Sequence, residues 1–144
     1  MNLSPRVKTI LNNNAASAGT STITGSTIDM KGFRGCLVIA NLGACTDTAV
    51  PWLKVLEGTD SGGSGATAIA GTSAQATASS GNLDNKLVIV DVYRPAYRYL
   101  TPQLLRTTAN VVLNNIIAIL YDPIDEPITA STTVLTTTAL TEPA

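Results

Sequence analysis

Residues Lys86 to Pro102, KLVIVDVYRPAYRYLTP, decide how the chain is read. Leu87 to Val92 is an apolar, β-branched run of strand length, and it meets Arg94-Pro95-Ala96-Tyr97 before a second such run, Arg98 to Thr107, begins. Proline has no N–H for a central ladder, so the four residues are a connection and the runs on either side are separate strands. The pair is expected to form either a hairpin or a corner where the chain changes sheets.

Strands of the same kind recur on both sides of this segment. Cys36 to Leu42, CLVIANL, and Val111 to Tyr121 are apolar at both alternating positions, as in a strand covered on both faces. The second puts Ile117, Ile119 and Tyr121 on one side and Ile116, Ala118 and Leu120 on the other. A layer above such strands must come from a second sheet on one face and from another layer or another subunit on the other. In PWLKVLEG, Pro51 to Gly58, the residues Leu53, Val55 and Glu57 face inward and Trp52 sits at the strand's edge. Thr20 to Met30 is β-branched text broken by Gly25, which predicts two short strands or one bulged strand. Short strands joined by Gly, Pro and Asn turns, without any long 3.6-residue period, predict an all-β, antiparallel β-sandwich or jelly roll.

The remaining text divides the chain. Residues 1–19 have weak periodicity and an Asn12-Asn13-Asn14 run, and are expected as an N-terminal arm. Residues 20–128 form the sandwich, interrupted at 59–85 by a glycine-rich loop with room for a short strand or one helical turn near Ala66 to Ala70. Residues 129–144 are Thr-rich, prone to β-structure but poor in large apolar groups, and are expected as an extended C-terminal arm.

Composition narrows the function. The 144 residues suit one domain, and only 13% are charged, against roughly 25% in ordinary soluble domains. With a mean hydropathy of +0.23, such a chain is expected to hide surface in an oligomer. A net charge of -1 offers no broad attraction to nucleic acid or anionic lipid, so neither is an expected partner. The longest apolar run, Ile116 to Tyr121, is far below the roughly 20 residues of a membrane-spanning helix. The N-terminus lacks the apolar run of a secretory signal, which makes a cytoplasm the expected place of synthesis.

Reaction chemistry finds little footing. The chain has no histidine, and Cys36 and Cys45 are its only cysteines, read as small buried residues without a metal or disulfide role. Asp122, Asp125 and Glu126 offer too few ligands for Ca²⁺ and read as a solvated turn. Asp60 with Gly62-Gly63-Ser64-Gly65 lacks the Gly-Lys-Ser/Thr ending of a phosphate loop. No enzyme activity, cofactor or metal is expected. The elbow stands apart: it holds three of the four tyrosines and two of the five arginines. Tyr93, Arg94, Tyr97, Arg98 and Tyr99 are of the types that dominate protein interfaces, being stiff, amphipathic or planar donors. They are the candidate interface residues, with Val134 and Leu135 in the C-terminal arm. A quieter role is also open, in which Arg94 and Arg98 pair with Asp91 or Asp84.

At GFRGCLVIANLG, KLVIVDVYRPAYRYLTPQL and NNIIAILYDPIDEPI, covering roughly Lys31 to Ile128, the sequence resembles head decoration, or cement, proteins of tailed bacteriophages. The resemblance implies a β-sandwich or jelly-roll subunit, commonly trimeric, on the outer surface of an icosahedral head, where it clamps neighbouring copies of the major capsid protein. Ala96 departs from the more basic elbow expected of that family, which turns the elbow toward a sister subunit. Two other expectations are carried beside it. One is a head-to-tail connector, tail or fibre component; the other is a carbohydrate-binding sandwich in which Trp52 and the tyrosines line one groove.

Overall fold

A computed structural model describes residues 2–71 and 74–140. It is all-β: two antiparallel sheets pack face to face, as the alternation of apolar residues predicts. Sheet A carries β1 (Lys8–Asn13), β11 (Val111–Pro123), β5 (Phe33–Cys45) and β9 (Leu87–Tyr93) in that spatial order, with β2 (Ala16–Gly19) also paired to β11. Sheet B carries β3 (Ile23–Thr24), β10 (Tyr99–Thr107), β6 (Val50–Gly58) and β7 (Thr67–Ala68), with β4 (Ile28–Asp29) on β10 and β8 (Ala74–Gln75) on β6.

The core is what lies between the sheets. Cys36, Val38, Ala40 and Leu42 of β5 and Ile116, Ala118 and Leu120 of β11 meet Leu53 and Val55 of β6 and Leu100 and Leu104 of β10, all fully buried or nearly so. Burying each of the larger aliphatic side chains is worth about 1.5–3 kcal/mol, which offsets the entropy of ordering a low-charge chain. The inward set changes parity within β11, from Val111 and Leu113 to Ile116, Ala118 and Leu120, where the register with β5 shifts at Leu113/Asn115. Each bulge inserts an unpaired residue and swings the following side chains to the other face. Asn114 Nδ2 donates to Leu42 O (3.2 Å) and holds this irregularity in place. Gly43 is required beside it, since a Cβ there would stand 2.7 Å from Val112 Cγ1.

Residues 1–19, expected as an arm, depart from that expectation. β1 and β2 pair with β11 inside sheet A, because Ile10 and the Asn12 side chain pack inward where the periodicity of so short a strand is hard to see. Arg106 fastens this segment. Its side chain is 5% exposed, and it donates from Nη1 to Ser17 O (2.7 Å) and Val111 O (2.9 Å) and from Nε to Ser21 O (2.8 Å). Carbonyl oxygens at the sandwich end thus satisfy a buried guanidinium without a carboxylate. The loop 59–85 includes two two-residue strands, β7 and β8, both on β6. The arm 129–144 contains no strand among its described residues, and 141–144 lie outside them.

Candidate functional site

The two strands of the opening segment belong to different sheets, so the elbow is a sheet-switching corner and not a hairpin: β9 ends in sheet A at Tyr93 and β10 begins in sheet B at Tyr99. Arg94 takes a left-handed φ of 53°, which an L-residue adopts only when its surroundings hold it there. They do. Arg94 N–H donates to Arg34 O (2.7 Å), and the Glu57 carboxylate accepts from both Ala96 N–H (2.9 Å) and Tyr97 N–H (3.3 Å). Glu57 stands at the end of β6, so the carboxylate of one sheet caps the loop that joins it to the other.

On the sheet B side, Arg98 clasps Asp29 with a two-pronged contact, Nε to Oδ1 and Nη2 to Oδ2, both 2.7 Å, and its guanidinium lies 5.1 Å from the centre of the Tyr99 ring. The Arg98 contact holds the Asp29 carboxyl below its ordinary pKa, and the carboxylate holds the Arg98 guanidinium above its own. On the sheet A side, Tyr93 OH donates to Asp122 Oδ2 (2.7 Å), and Arg34 Nη1 reaches Asp122 Oδ1 (3.3 Å). Tyr121 OH donates to Asp91 Oδ1 (2.7 Å), and its ring stacks on that of Tyr93 with centroids 6.2 Å apart. Burial, then the hydrogen bond to Asp91, raises the Tyr121 pKa. Gly35 pairs with Tyr121 on one side and Tyr93 on the other, and a Cβ there would collide with the Tyr121 ring. The missing side chain is what lets the two rings close over β5.

Between the corner and the Met30–Arg34 turn lies an open cleft of about 400 Å³, lined by Met30, Phe33, Pro95 and Tyr97 together with Arg34, Arg94 and Arg98. Among the described residues Arg94 has no carboxylate at ion-pair distance; its guanidinium lies 5.4 Å from the Tyr93 ring centre. Arg98 pairs with Asp29, and not with Asp91 or Asp84.

The seven candidate interface residues fall into two places. Tyr93, Arg94, Tyr97, Arg98 and Tyr99 form the corner, with Tyr93 and Tyr97 about half exposed. Val134 and Leu135 lie at the other edge of sheet A: Val134 rests in a small cleft with Val7 and Thr9, and Leu135 is wholly exposed. Trp52 is also far from the corner. It pairs with Leu105, whereas Tyr99 pairs with Gly58, six residues and roughly 20 Å along β6. These residues therefore do not line one sugar-binding groove. The acids of the Asp122–Glu126 turn are parted as well, Asp122 to Arg34 and Tyr93, Glu126 to Arg6. Asp60 is taken up by its own loop, accepting from Gly62 N–H and Ser64 N–H. Burial, and behind it Asp91, pushes the Cys36 thiol up to about 12, so it is a protonated core residue at neutral pH.

The partners Asp29, Glu57 and Asp122 were not singled out for the corner in the sequence. A signal existed: with only ten acids and nine bases in the chain, each carboxylate near a strand end is a candidate partner for the few arginines.

A second feature borders the corner. On the outer face of sheet A, register places Leu11, Ile117, Ile39 and Ile89 in one row across four strands, with Ile119 and Leu37 in the next between Thr9 and Asp91. Leu11, Leu87 and Ile89 are 41%, 56% and 48% exposed. The Tyr121–Tyr93 pair closes this aliphatic surface at the corner's end.

No family model and no curated protein matches the chain. Among solved structures it is similar to the SPBc2 prophage-derived protein YomS, at 16% identity over 81% of this chain and 93% of that one, with a TM-score of 0.45. It is also similar to dimeric latent PorU from Porphyromonas gingivalis (9% identity, 82% of this chain, TM-score 0.48) and to a chain of infectious bursal disease virus, Gt strain (13%, 81%, 0.45). The matched region spans 13% and 32% of those two chains.

Proposed function

We propose that the protein is a non-enzymatic structural subunit of a tailed-phage virion, a decoration protein that self-associates, as a trimer, and binds the major capsid protein on the outer surface of the head. The observation that carries this reading is the outer face of sheet A. Strands β5 and β11 have the two-sided apolar pattern of strands covered on both faces, yet sheet B covers only one. The other face presents a four-strand row of leucine and isoleucine with Ile119 and Leu37 beside it, and a monomer rarely leaves such an apolar patch uncovered. A protein partner is the covering that suits an aliphatic centre rimmed by Tyr and Arg, since interfaces place apolar groups at the middle and amphipathic ones around them. The low charge of the chain and the resemblance in its strand and elbow segments support the same reading.

Expanded heads assembled without the protein provide the test. Added protein is expected to bind them in a fixed ratio to the major capsid subunit and to raise their resistance to heat. Sixfold or twelvefold stoichiometry at a single vertex would replace decoration with a connector or tail role. Absence of binding, with heat resistance unchanged, would remove the proposal.

A further inference from the structure

Sheet A ends at β9, whose outward backbone groups have no hydrogen-bond partner among the described residues. β9 pairs with β5 alone, and at the two ends of that ladder Leu42 N–H donates to Lys86 O (2.9 Å) and Arg94 N–H to Arg34 O (2.7 Å). Alternation in an antiparallel pair then turns the backbone groups of even-numbered residues toward β5 and those of Leu87, Ile89, Asp91 and Tyr93 away from it. Among the described residues no backbone hydrogen bond reaches these outward groups: β8 runs close to β9 but pairs with β6. Natural edges are blunted by a lysine, a proline, a bulge, shortness or a covering element, and here the nearest element, β8, is two residues long. Leu87–Tyr93 has seven residues, no bulge and only Asp91 as a charge.

The same chain carries a segment that lacks a strand partner. Residues 132–140, TTVLTTTAL, have high β-propensity and no charge, yet form no strand, and Leu135 and Leu140 are 101% and 80% exposed. The segment leaves from the opposite edge of sheet A. There Ile128 N–H donates to Pro5 O (3.1 Å), and Leu11 N–H of β1 donates to Thr133 Oγ1 (3.0 Å).

We propose that residues 132–140 of a second copy add as a strand to the free edge of β9. Backbone pairing would satisfy the outward groups of Leu87, Ile89, Asp91 and Tyr93, and Leu135 would extend the row formed by Leu11, Ile117, Ile39 and Ile89. The uncharged segment sets no like charge against Asp91. A donor at the β1 edge and an acceptor at the β9 edge make a head-to-tail contact, which closes into a ring when the rotation between copies allows it. This rests on the self-association part of the function proposed above, but is independent of which particle is bound.

The test uses the full chain, a chain ending at Ala130, and Ile89→Pro, which removes an N–H that β5 does not use. Light scattering is expected to find the full chain oligomeric and both variants monomeric, with unchanged far-ultraviolet circular dichroism. A synthetic peptide of residues 129–144 is expected to bind the truncated chain and to lose that binding when Ile89→Pro is added. Ile89→Lys, which charges the edge without altering the backbone, replaces the proline variant if that one unfolds. A monomeric full chain, a truncated chain that keeps the full oligomeric state, or a peptide that does not bind would each overturn the proposal. Head binding is measured separately: an arm-dependent oligomer that ignores heads upholds the strand exchange and removes the decoration reading.

Discussion

The inner and outer faces of sheet A are made by alternate residues of the same strands, and their chemistry is nearly the same. Val38, Ala40, Ile116, Ala118 and Leu120 point one way; Leu37, Ile39, Ile117 and Ile119 point the other. The first set is sealed beneath sheet B, whereas the second is only half buried and continues to the exposed Leu87 and Ile89. Residue type alone does not distinguish a core from a docking surface. What distinguishes them is whether the chain supplies a covering layer, and here it supplies one layer for two apolar faces.

The largest effect should come from the sealed face. Leu120→Ala removes a side chain that is 1% exposed and is expected to cost about 2–5 kcal/mol, read by urea unfolding of the isolated protein. A loss below 1 kcal/mol would mean that the two faces are not packed differently. The outer face should behave in the opposite way. Ile117→Thr keeps the β-branch and should change unfolding stability by about 1 kcal/mol or less, while weakening self-association or head binding measured by light scattering or co-sedimentation. Equal losses from both substitutions would erase the contrast.

The smallest effect lies at the corner between the faces. Asp29 is held below its ordinary pKa in the folded protein, so the Arg98–Asp29 contact contributes fully above the unfolded carboxylate value of about 3.9 and is lost as pH falls through the lower, folded value. Both side chains are nearly half exposed, so solvent screening keeps the contribution small. Asp29→Asn should therefore lower stability slightly at pH 7, leave it unchanged at the acid end where Asp29 is already protonated, and so flatten that part of the acid unfolding curve. An unaltered acid profile would show that the pair adds nothing.

Much of the fold was legible in the chain because alternation of side chains in a strand has a period of two, and long runs such as Cys36–Leu42 and Val111–Tyr121 display it openly. Leu53 and Val55 could be assigned to the inner face for the same reason, whereas Trp52, expected at the strand's edge, lies within β6 and is paired on both sides. The N-terminal strands were hidden because β1 and β2 are short, polar at several positions and separated from β11 by nearly the whole chain, so that pairing, and not periodicity, makes them strands. The corner was half legible. Its tyrosines and arginines stand out by composition, but Asp29, Glu57 and Asp122 reach them from three other strands, and no local pattern announces contacts of that range. Gly35 could not be assigned to the tyrosine stack until Tyr93 and Tyr121 were known to flank it.

By itself the sequence determined that this chain would be an antiparallel sandwich of low charge, with apolar groups on both sides of its longest strands, because side-chain alternation and β-propensity are local properties. Only the tertiary structure decided which apolar face sheet B covers, that the elbow carries the chain from one sheet to the other, and that β9 is left at an edge. Those outcomes depend on which strands pair across long sequence separations, and backbone hydrogen bonding, being nearly the same for every residue, leaves no mark of its partner in the text of a single strand.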